Sequence, residues 1–299
     1  MIEVNEITAG YESKPVIHDI SFSVGKRALY VLLGPNGAGK TTTFRVITGI
    51  LPPIKGRVLV NSVDLWSKPE EAKRYIGYLP EGDRLYPDLT VEDNLKIFGK
   101  IYRVSKSGIL RSLELLGVDD LKDVKVKKLS AGLRKRVALA RAVMHNPDVL
   151  VLDEPFANLD VESVDNLRKI IIDFVKDKVV VLSTHRVSEL SYFEEVNSYL
   201  GIIVNGRLRI NTRLINAVRL VKKPLVVLKV SDVELSKKVL ERTNVEFTLK
   251  ENMIIVQVPR YDDISSIVEL LVESGIRVYE VRPAEQPIET LLKVLSKEV

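Results

Sequence analysis

A glycine-rich segment, G-P-N-G-A-G-K-T at residues 34–41, is the feature that most constrains what this chain can fold into. It follows an apolar run and precedes a predicted helix, as in phosphate-binding loops, where backbone N–H groups surround phosphate oxygens. We expect Lys40 to reach the β and γ phosphates and the Thr41 hydroxyl to ligate Mg²⁺. The sequence therefore predicts a nucleoside triphosphate site. The residues assigned to it are Gly34, Pro35, Asn36, Gly37, Ala38, Gly39, Lys40, Thr41 and Thr42.

Composition excludes several other classes of protein. The 299 residues include no cysteine, which excludes a disulfide scaffold, a thiolate metal site and a cysteine nucleophile. The first residues alternate like a strand and not like a signal peptide, so we expect a cytoplasmic protein. Apolar runs fall far short of the roughly 18 residues of a membrane span, so any membrane role requires a partner. The net charge of +5 indicates a solvated Lys/Glu-rich surface more than one that attracts membranes or nucleic acid.

Strands and helices alternate along the chain, which predicts an α/β domain with a largely parallel sheet. Residues 149–152 and 179–182 are continuous apolar runs, typical of strands that are covered on both faces. Asp153 and Glu154 follow the first run, and a polar segment that ends in His185 follows the second. Because ligands bind at the carboxyl ends of parallel strands, we expect these residues to lie beside the phosphate loop.

Asp153 and Glu154 have the chemistry that hydrolysis of a γ phosphate requires. A carboxylate at the end of a buried strand can hold Mg²⁺, directly or through water. A neighbouring carboxylate without a metal to bind can orient or deprotonate the attacking water. We assign these roles to Asp153 and Glu154, although such a pair alone is more often a helix cap. His185, which without this context would be interpreted as structural, is expected to donate a hydrogen bond to the γ phosphate.

Further motifs resemble those of a known family, the ABC ATPases. Residues 129–133, L-S-A-G-L, resemble its L-S-G-G-Q signature, and residues 153–160 resemble its second nucleotide motif and D-loop. The S-T-H segment that ends at His185 resembles the switch histidine. Glu81 occupies the Q-loop position, and Tyr11 the position of the aromatic residue that stacks on adenine.

This resemblance covers about the first 210 residues and implies an ABC-type ATPase with ATP and Mg²⁺ as ligands. In that family two ATP molecules lie between head-to-tail subunits, so the partner would be a second copy or a homologous ATPase subunit. Ser130 and Gly132 would then contact the partner's ATP, and Glu81 would join Thr41 and Asp153 at the metal. The resemblance also implies an integral membrane permease as partner, which would hold the chain at the inner face of the cell membrane.

Several residues depart from the family pattern. Glu81 stands where Gln is usual, which brings another carboxylate towards Mg²⁺ and the attacking water. Ala131 and Leu133 replace signature residues, but the Ser130 hydroxyl and the Gly132 backbone remain at the helix N-terminus, where anions bind. Alternatively, Ser130 only caps its own helix. The Q-loop Glu and an extra C-terminal domain make the resemblance closest to ATPase subunits of multidrug or sodium-type exporters, so export is expected.

We divide the chain into an ATPase domain over residues 1–221, with a helical subdomain at about 88–146, and an accessory domain over 222–299. The accessory pattern β-α-β-β-α-β, followed by a helix at 287–297, predicts a small ferredoxin-like α+β domain. RNA-binding modules share this order, but the strand at 254–258 lacks their stacking aromatics. A packing or dimerisation module is favoured over a regulatory ligand pocket.

Three classes of function are compatible with an ABC-type cassette. The first is a transport ATPase. The second is a soluble ATPase of translation or ribosome recycling, which usually carries two cassettes, whereas this chain has one. The third is a DNA-repair ATPase, which needs a long coiled coil or zinc-binding cysteines between the motifs, and the sequence has neither. The sequence therefore favours the transport ATPase, with no nucleic acid as partner.

Overall fold

The computed structural model describes residues 1–12, 14–217, 220, 224–243, 245–250, 253–284, 288–289, 292 and 295. It divides the chain into two compact units, Met1–Arg213 and Leu214–Val299, and each is described by itself. The boundary expected from the sequence, after residue 221, lies a few residues beyond this division. The helix expected at 287–297 lies largely outside the described residues.

Short helices and strands make up most of both units. The helices are α1 (Lys40–Ile47), α2 (Pro69–Lys73), α3 (Val91–Tyr102), α4 (Lys106–Leu115), α5 (Ala131–Val143), α6 (Val161–Val175), α7 (Leu214–Ala217), α8 (Val233–Leu240) and α9 (Ile264–Glu273). The strands are β1 (Ile2–Tyr11), β2 (Lys14–Val24), β3 (Ala28–Leu33), β4 (Lys55–Val60), β5 (Val63–Asp64), β6 (Ile76–Leu79), β7 (Val149–Leu152), β8 (Val179–Thr184), β9 (Ser198–Val204), β10 (Arg207–Arg213), β11 (Leu225–Val230), β12 (Glu246–Lys250), β13 (Met253–Gln257) and β14 (Val278–Pro283).

Two sheets form the framework of the first unit. The larger sheet has the order β10-β9-β3-β8-β7-β6, and all of its strands are parallel except β10. Its strands β3, β7 and β8 are buried at every residue, as their unbroken apolar runs predict. The smaller, antiparallel sheet has the order β2-β1-β4-β5 and shares a hydrophobic core with the larger one. The parallel sheet confirms the predicted fold class, whereas strand–helix alternation did not predict the antiparallel sheet.

The order of the parallel strands decides which loops become neighbours. Strand β8 lies between β3 and β7, with Leu33 paired to Thr184 and Leu152 paired to Leu182. Parallel strands end at the same edge of their sheet. The segments that follow the three strands therefore emerge side by side, and the segment that contains His185 is the middle one.

The helices between β6 and β7 begin with side-chain caps, unlike α1. The Thr90 hydroxyl accepts a hydrogen bond of 3.1 Å from the Asp93 N–H and so caps α3. The Ser105 and Ser130 hydroxyls cap α4 and α5 in the same way. Helix α1 follows Gly39 without a side-chain cap, so the N–H groups of its first turn are available to an anion.

The second unit contains one four-stranded sheet. Its elements follow one another as β11, α8, β12, β13, α9 and β14, and the strand order is β12-β13-β11-β14 with every pair antiparallel. Alternate residues of β11 and β13, including Leu228 and Val256, form its core with Leu240 of α8 and Leu271 of α9. The unit therefore has a hydrophobic core of its own.

The hairpin turn between β9 and β10 supports the phosphate loop. Asn205 and Gly206 have φ angles of 48° and 72°, the left-handed region that an Asn-Gly hairpin turn uses. The Gly206 N–H donates to the Ala38 carbonyl at 3.0 Å, and its carbonyl accepts from the His18 N–H at 2.8 Å. A Cβ at Gly206 would clash with the Val16 carbonyl oxygen. The turn thus joins the loop to β2 through contacts that exclude a side chain at this glycine.

Gly206→Ala should lower the free energy of unfolding by about 1–3 kcal/mol, because it adds a clash and a strained φ angle. Urea unfolding followed by the fluorescence of the single tryptophan, Trp66, measures the change. Asn205→Gly is the matched control in the same turn, with an expected change of less than about 1 kcal/mol. Equal stability of the two variants would contradict the assigned role of Gly206.

Candidate functional site

A cavity of about 490 Å³ lies where β3 and β8 end. Its lining comes from the phosphate loop, the Q-loop position, the segments after β7 and β8, and β2. The lining residues are Val16, Asn36, Gly37, Gly39, Lys40, Thr41, Thr42, Glu81, Glu154, Ala157, Asn158 and His185. The structure thus brings most of the predicted loop residues together with Glu81, Glu154 and His185.

Other predicted residues lie outside this lining, and three of them belong to the loop itself. Gly34 packs against β9 so closely that a Cβ would clash with the Ile203 carbonyl. Ala38 is buried, and its N–H donates to the Pro35 carbonyl at 3.2 Å. In this structure Gly34, Pro35 and Ala38 therefore maintain the shape of the loop rather than face the cavity.

The Lys40 ammonium group lies inside the loop and is nearly buried. Its Nζ donates to the carbonyl oxygens of Gly34 at 2.8 Å and Pro35 at 3.2 Å. It also lies 3.4 Å from Glu154 Oε1. Phosphate oxygens form stronger, charge-assisted hydrogen bonds than carbonyl oxygens do, so a triphosphate can compete for this group.

Glu154 is held between two basic side chains. Its Oε1 faces Lys40, and its Oε2 lies 3.0 Å from His185 Nδ1. Its backbone has a φ of 46°, and its N–H donates to Ser183 Oγ at 2.9 Å. Left-handed backbone at a non-glycine residue is costly, so the surrounding structure must hold it in place. The helix-cap alternative is not realised, because Asp160 caps α6 by accepting from the Ser163 N–H at 2.8 Å.

Asp153 is fully buried and only half satisfied by hydrogen bonds. Its Oδ1 accepts from the Ser183 hydroxyl at 2.6 Å, whereas its Oδ2 has no hydrogen-bond partner among the residues that the structure describes. Burial raises the pKa of this carboxyl group, and the Ser183 and Thr41 side chains partly oppose the rise. A buried carboxylate oxygen without a partner destabilises the fold unless a cation binds it.

The oxygen atoms near Asp153 fit a magnesium ion. The Thr41 hydroxyl and the Glu81 carboxylate line the adjoining cavity, and hard cations prefer such oxygen ligands. The described part of the chain contains no cluster of three or more His, Cys, Asp or Glu side chains that could hold a metal by themselves. Mg²⁺ usually keeps several waters and substrate phosphate oxygens among its ligands.

Sequence reasoning missed two polar residues of the site. Ser183 joins the site through its hydroxyl, which bonds both the Asp153 carboxylate and the Glu154 N–H. Lys135 on α5 is buried, and burial lowers its pKa while the nearby Asp83 and Asp153 carboxylates oppose the change. The polar residues that follow the apolar run at 179–182 were a signal for Ser183. Residues 134–136 are all basic, and nothing in this segment indicates that Lys135 is buried.

Tyr11 lies at the end of β1 and does not line the cavity. Its side chain is 42% exposed. Arg45 of α1 donates to the Tyr11 hydroxyl at 2.7 Å, and the guanidinium carbon lies 5.8 Å from the ring centre. The ring is therefore held against the helix that follows the phosphate loop, and its stacking on a base stays a prediction.

The predicted signature residues also lie outside the lining. The exposed Ser130 accepts a hydrogen bond of 3.2 Å from the Leu133 N–H, so it does cap its own helix. Gly132 is buried against α6, where a Cβ would meet the Ser163 side chain. Packing within this chain therefore already favours a glycine at this position, because a larger residue would displace Ser163. Contact of Ser130 and Gly132 with the nucleotide of a partner stays a prediction.

Comparison with known proteins identifies the family. The sequence model of the ABC transporter family matches residues 17–157. The Nod factor export ATP-binding protein I of Burkholderia thailandensis is 35% identical over 214 residues, which span 69% of this chain and 68% of that protein. The chain belongs to the ABC transporter family. It is an ABC-type ATPase cassette, as the ordered motifs predicted.

Two further relatives show how far the likeness extends. The molybdate/tungstate import ATP-binding protein of Pyrococcus abyssi is 36% identical over 212 residues, and the match spans 70% of this chain but only 61% of that protein. An uncharacterized ABC transporter ATP-binding protein of Bacillus subtilis is 29% identical over 292 residues, or 97% of this chain and 93% of that protein. The likeness to the Bacillus protein therefore includes the second unit.

Solved structures support the same assignment for the fold. The structure of an ATP-binding subunit of an ABC transporter aligns with a TM-score of 0.64 and 28% identity, covering 73% of this chain and 91% of that chain. Among the described residues of this ABC cassette, no helix has the length and apolar character to cross a bilayer.

The buried carboxylate of Asp153 predicts a pH-dependent stability effect. The pKa of this carboxyl group is higher in the folded state than in the unfolded state. As pH rises from about 4, near the unfolded pKa, through the folded pKa, ionisation of the group therefore destabilises the fold increasingly. Asp153→Asn keeps an acceptor for Ser183 and removes the charge. Its melting temperature without nucleotide or metal should exceed that of the wild type by a margin that grows between pH 4 and pH 7. A margin that does not change with pH would contradict this account.

Proposed function

We propose that this ABC cassette binds and hydrolyses ATP with Mg²⁺ and that ATP-driven head-to-tail dimerisation of two cassettes powers a separate membrane permease. The observation that carries the proposal is the placement of Glu154 between Lys40 and His185 at the phosphate-loop cavity. A carboxylate fixed beside two cationic or proton-donating groups is suited to orient a water molecule for attack on a γ phosphate.

The phosphate loop would bind the triphosphate tail of ATP. The uncapped first turn of α1 supplies N–H groups and the positive end of a helix dipole. Lys40 would exchange its carbonyl partners for β and γ phosphate oxygens. Tyr11, exposed beside α1, would stack on the adenine ring. In this arrangement the loop provides most of the binding energy, and stacking on Tyr11 stabilises the bound adenine base.

Asp153 and Thr41 would hold Mg²⁺, with Glu81 as an additional ligand. Asp153 Oδ2 supports this assignment, since it has no hydrogen-bond partner within the described part of the chain and a cation would satisfy it. Bound Mg²⁺ would neutralise charge on the phosphate oxygens. Ser183 would keep the Asp153 carboxylate in place through its 2.6 Å hydrogen bond.

Glu154 would orient the attacking water, and His185 would donate a hydrogen bond to the γ phosphate. The two side chains contact each other at 3.0 Å, and Glu154 also contacts Lys40, so the carboxylate is the more firmly held of the two. In-line attack depends on such positioning more than on covalent chemistry. The Glu154 backbone, anchored on Ser183, fixes the carboxylate relative to β8.

The partner cassette would complete each site with Ser130 and Gly132. Neither residue lines the cavity of its own chain, although the α5 N-terminus that they form is the kind of end that binds anions. A second copy of this chain or a homologous ATPase subunit would supply this end. The membrane permease would hold the dimer at the inner face of the cell membrane, as expected for a chain whose relatives are transporter subunits.

We propose export as the direction of transport. For the second unit we propose a ferredoxin-like fold and a role in packing or dimerisation. Glu81 at the Q-loop and a C-terminal unit beyond the cassette support export, as does the relative named for Nod factor export. The relative named for molybdate/tungstate import favours the opposite direction. A role in translation or DNA repair has no comparable support, because these relatives are named as transport proteins.

Glu154→Gln should retain ATP binding while hydrolysis slows by about 10²–10⁴-fold, the range for loss of general-base catalysis. ATP that is bound but not hydrolysed should hold the cassettes as a dimer. Phosphate release and gel filtration with ATP measure the two effects. Glu269→Gln, the same change at an exposed site of α9, should behave like the wild type. Undiminished turnover in Glu154→Gln would refute the assignment.

Mixing two inactive variants tests whether each site is shared between chains. Ser130→Arg blocks the partner's site, because a large charged side chain does not fit a closed interface. Lys40→Ala blocks the chain's own site. A mixed dimer then has one intact site and one with both lesions, so ATPase activity should partly return on mixing.

The control for Ser130→Arg is Ser105→Arg, which removes an equivalent exposed helix cap on α4. It should lower stability by about 0.5–2 kcal/mol and leave turnover close to wild type. No recovery of activity, in a sample shown to contain mixed dimers, would rule out the composite site.

A further inference from the structure

Thr184 lies between Ser183 and His185, but its hydroxyl forms hydrogen bonds with Glu189 and Arg186 and not with Asp153 or Glu154. Thr184 is fully buried, and its hydroxyl donates to Glu189 Oε2 at 2.6 Å. The same hydroxyl accepts from the Arg186 N–H at 2.9 Å. Ser183 and His185 contact Asp153 and Glu154, whereas Thr184 is fixed to a different part of the chain.

Glu189 comes from a turn that is anchored in the core. It belongs to the 3₁₀ segment Val187–Phe193, in which Val187, Leu190 and Phe193 are buried. Glu189 itself is only 5% exposed, which is rare for a glutamate without a specific partner. Burial raises the pKa of its carboxyl group, and the hydrogen bond from Thr184 opposes the rise. This buried carboxyl group therefore depends on Thr184 as its partner.

These hydrogen bonds restrain the chain on both sides of His185. Thr184 precedes the histidine and Arg186 follows it, and the Thr184 hydroxyl contacts both the Arg186 backbone and Glu189. The Arg186 guanidinium lies 3.9 Å from Glu189 Oε1. The His185 side chain is 39% exposed, so packing around the ring alone restrains it little. Its orientation towards Glu154 at 3.0 Å therefore depends on the backbone that these bonds restrain.

We propose that Thr184 and Glu189 are positioning residues for His185: their buried hydrogen bond fixes the backbone that directs the imidazole towards Glu154 and the γ phosphate. The inference rests on the role proposed above for His185 in ATP hydrolysis. The pair touches neither nucleotide nor metal and acts only through the histidine. The hydrogen bond requires a hydroxyl at residue 184 and an acceptor oxygen at residue 189. A neutral amide at residue 189 therefore also serves as the acceptor.

Three variants and one control separate positioning from general stability. Thr184→Val removes the hydroxyl with little change of shape, Glu189→Leu removes the acceptor, and Glu189→Gln keeps an acceptor. The control, Ser198→Ala, removes a buried hydroxyl that donates to the Phe193 carbonyl at 2.8 Å without contacting the site. For each protein, kcat, the Kd for ATP and the melting temperature are measured.

In Thr184→Val and Glu189→Leu, kcat should fall by about 10–100-fold, the range for loss of support to a positioned group. The Kd for ATP should stay within about twofold, because the binding residues of the phosphate loop are untouched. Glu189→Gln and Ser198→Ala should retain wild-type kcat.

Imidazole resonances give a readout that does not depend on activity. The chain has three histidines, so a ¹H–¹³C spectrum of the full chain is simple, and His185→Ala assigns the third signal. The His185 signal should shift or broaden in Thr184→Val and Glu189→Leu, while those of His18 and His145 stay in place. In Glu189→Gln all three should stay in place.

Wild-type kcat with an unmoved His185 signal in Thr184→Val would overturn the proposal. Unfolding of Thr184→Val would also overturn it, because the hydrogen bond would then be needed for the fold itself. So would a loss of activity in Glu189→Gln equal to that in Glu189→Leu, because the charge of Glu189 would then matter. His185→Ala separates this inference from the proposed function. If His185→Ala retains turnover, the role of the histidine is wrong; if it is inactive while Thr184→Val is fully active, only the positioning role is wrong.

Discussion

The parallel pairing of β8 between β3 and β7 is the constraint on which the rest of the site depends. Each of these strands is fully buried and has no freedom to shift in register without exposing apolar residues or breaking backbone hydrogen bonds. The positions of the segments that follow these strands are restrained in turn. Ser183 adds a direct link, because its hydroxyl on the middle strand bonds both Asp153 and Glu154 of the neighbouring segment.

The site combines this rigid framework with unfavourable local electrostatics. Asp153 keeps one carboxylate oxygen without a hydrogen-bond partner among the described residues, and Lys135 is a buried lysine whose pKa burial lowers. Glu154 adopts a costly left-handed backbone conformation. A fold tolerates such features only where the surrounding core determines the positions strongly, and they are typical of places where a ligand later supplies the missing charge.

Local motifs made the centre of this site predictable from the sequence. The phosphate loop has a fixed spacing, and the polar residues after β7 and β8 follow short apolar runs of the kind that is typical of buried strands. The links between motifs were not predictable, because they depend on tertiary packing. Ser183 of β8 bonds the segment that follows β7, Lys135 is a buried residue among basic neighbours, and Gly132 packs on α6. The Thr184–Glu189 hydrogen bond likewise depends on a turn whose geometry the sequence does not encode in a recognisable motif.

The close packing of Gly132 on Ser163 bears on how this part of the chain can vary in evolution. The exposed residue Ala131 has few neighbours to oppose a substitution, and the chain already differs there from the family signature. Gly132 is restricted by its own fold before any partner is considered. Packing within one chain is therefore a sufficient reason to favour this glycine, and its presence alone is weak support for a working interface between two cassettes.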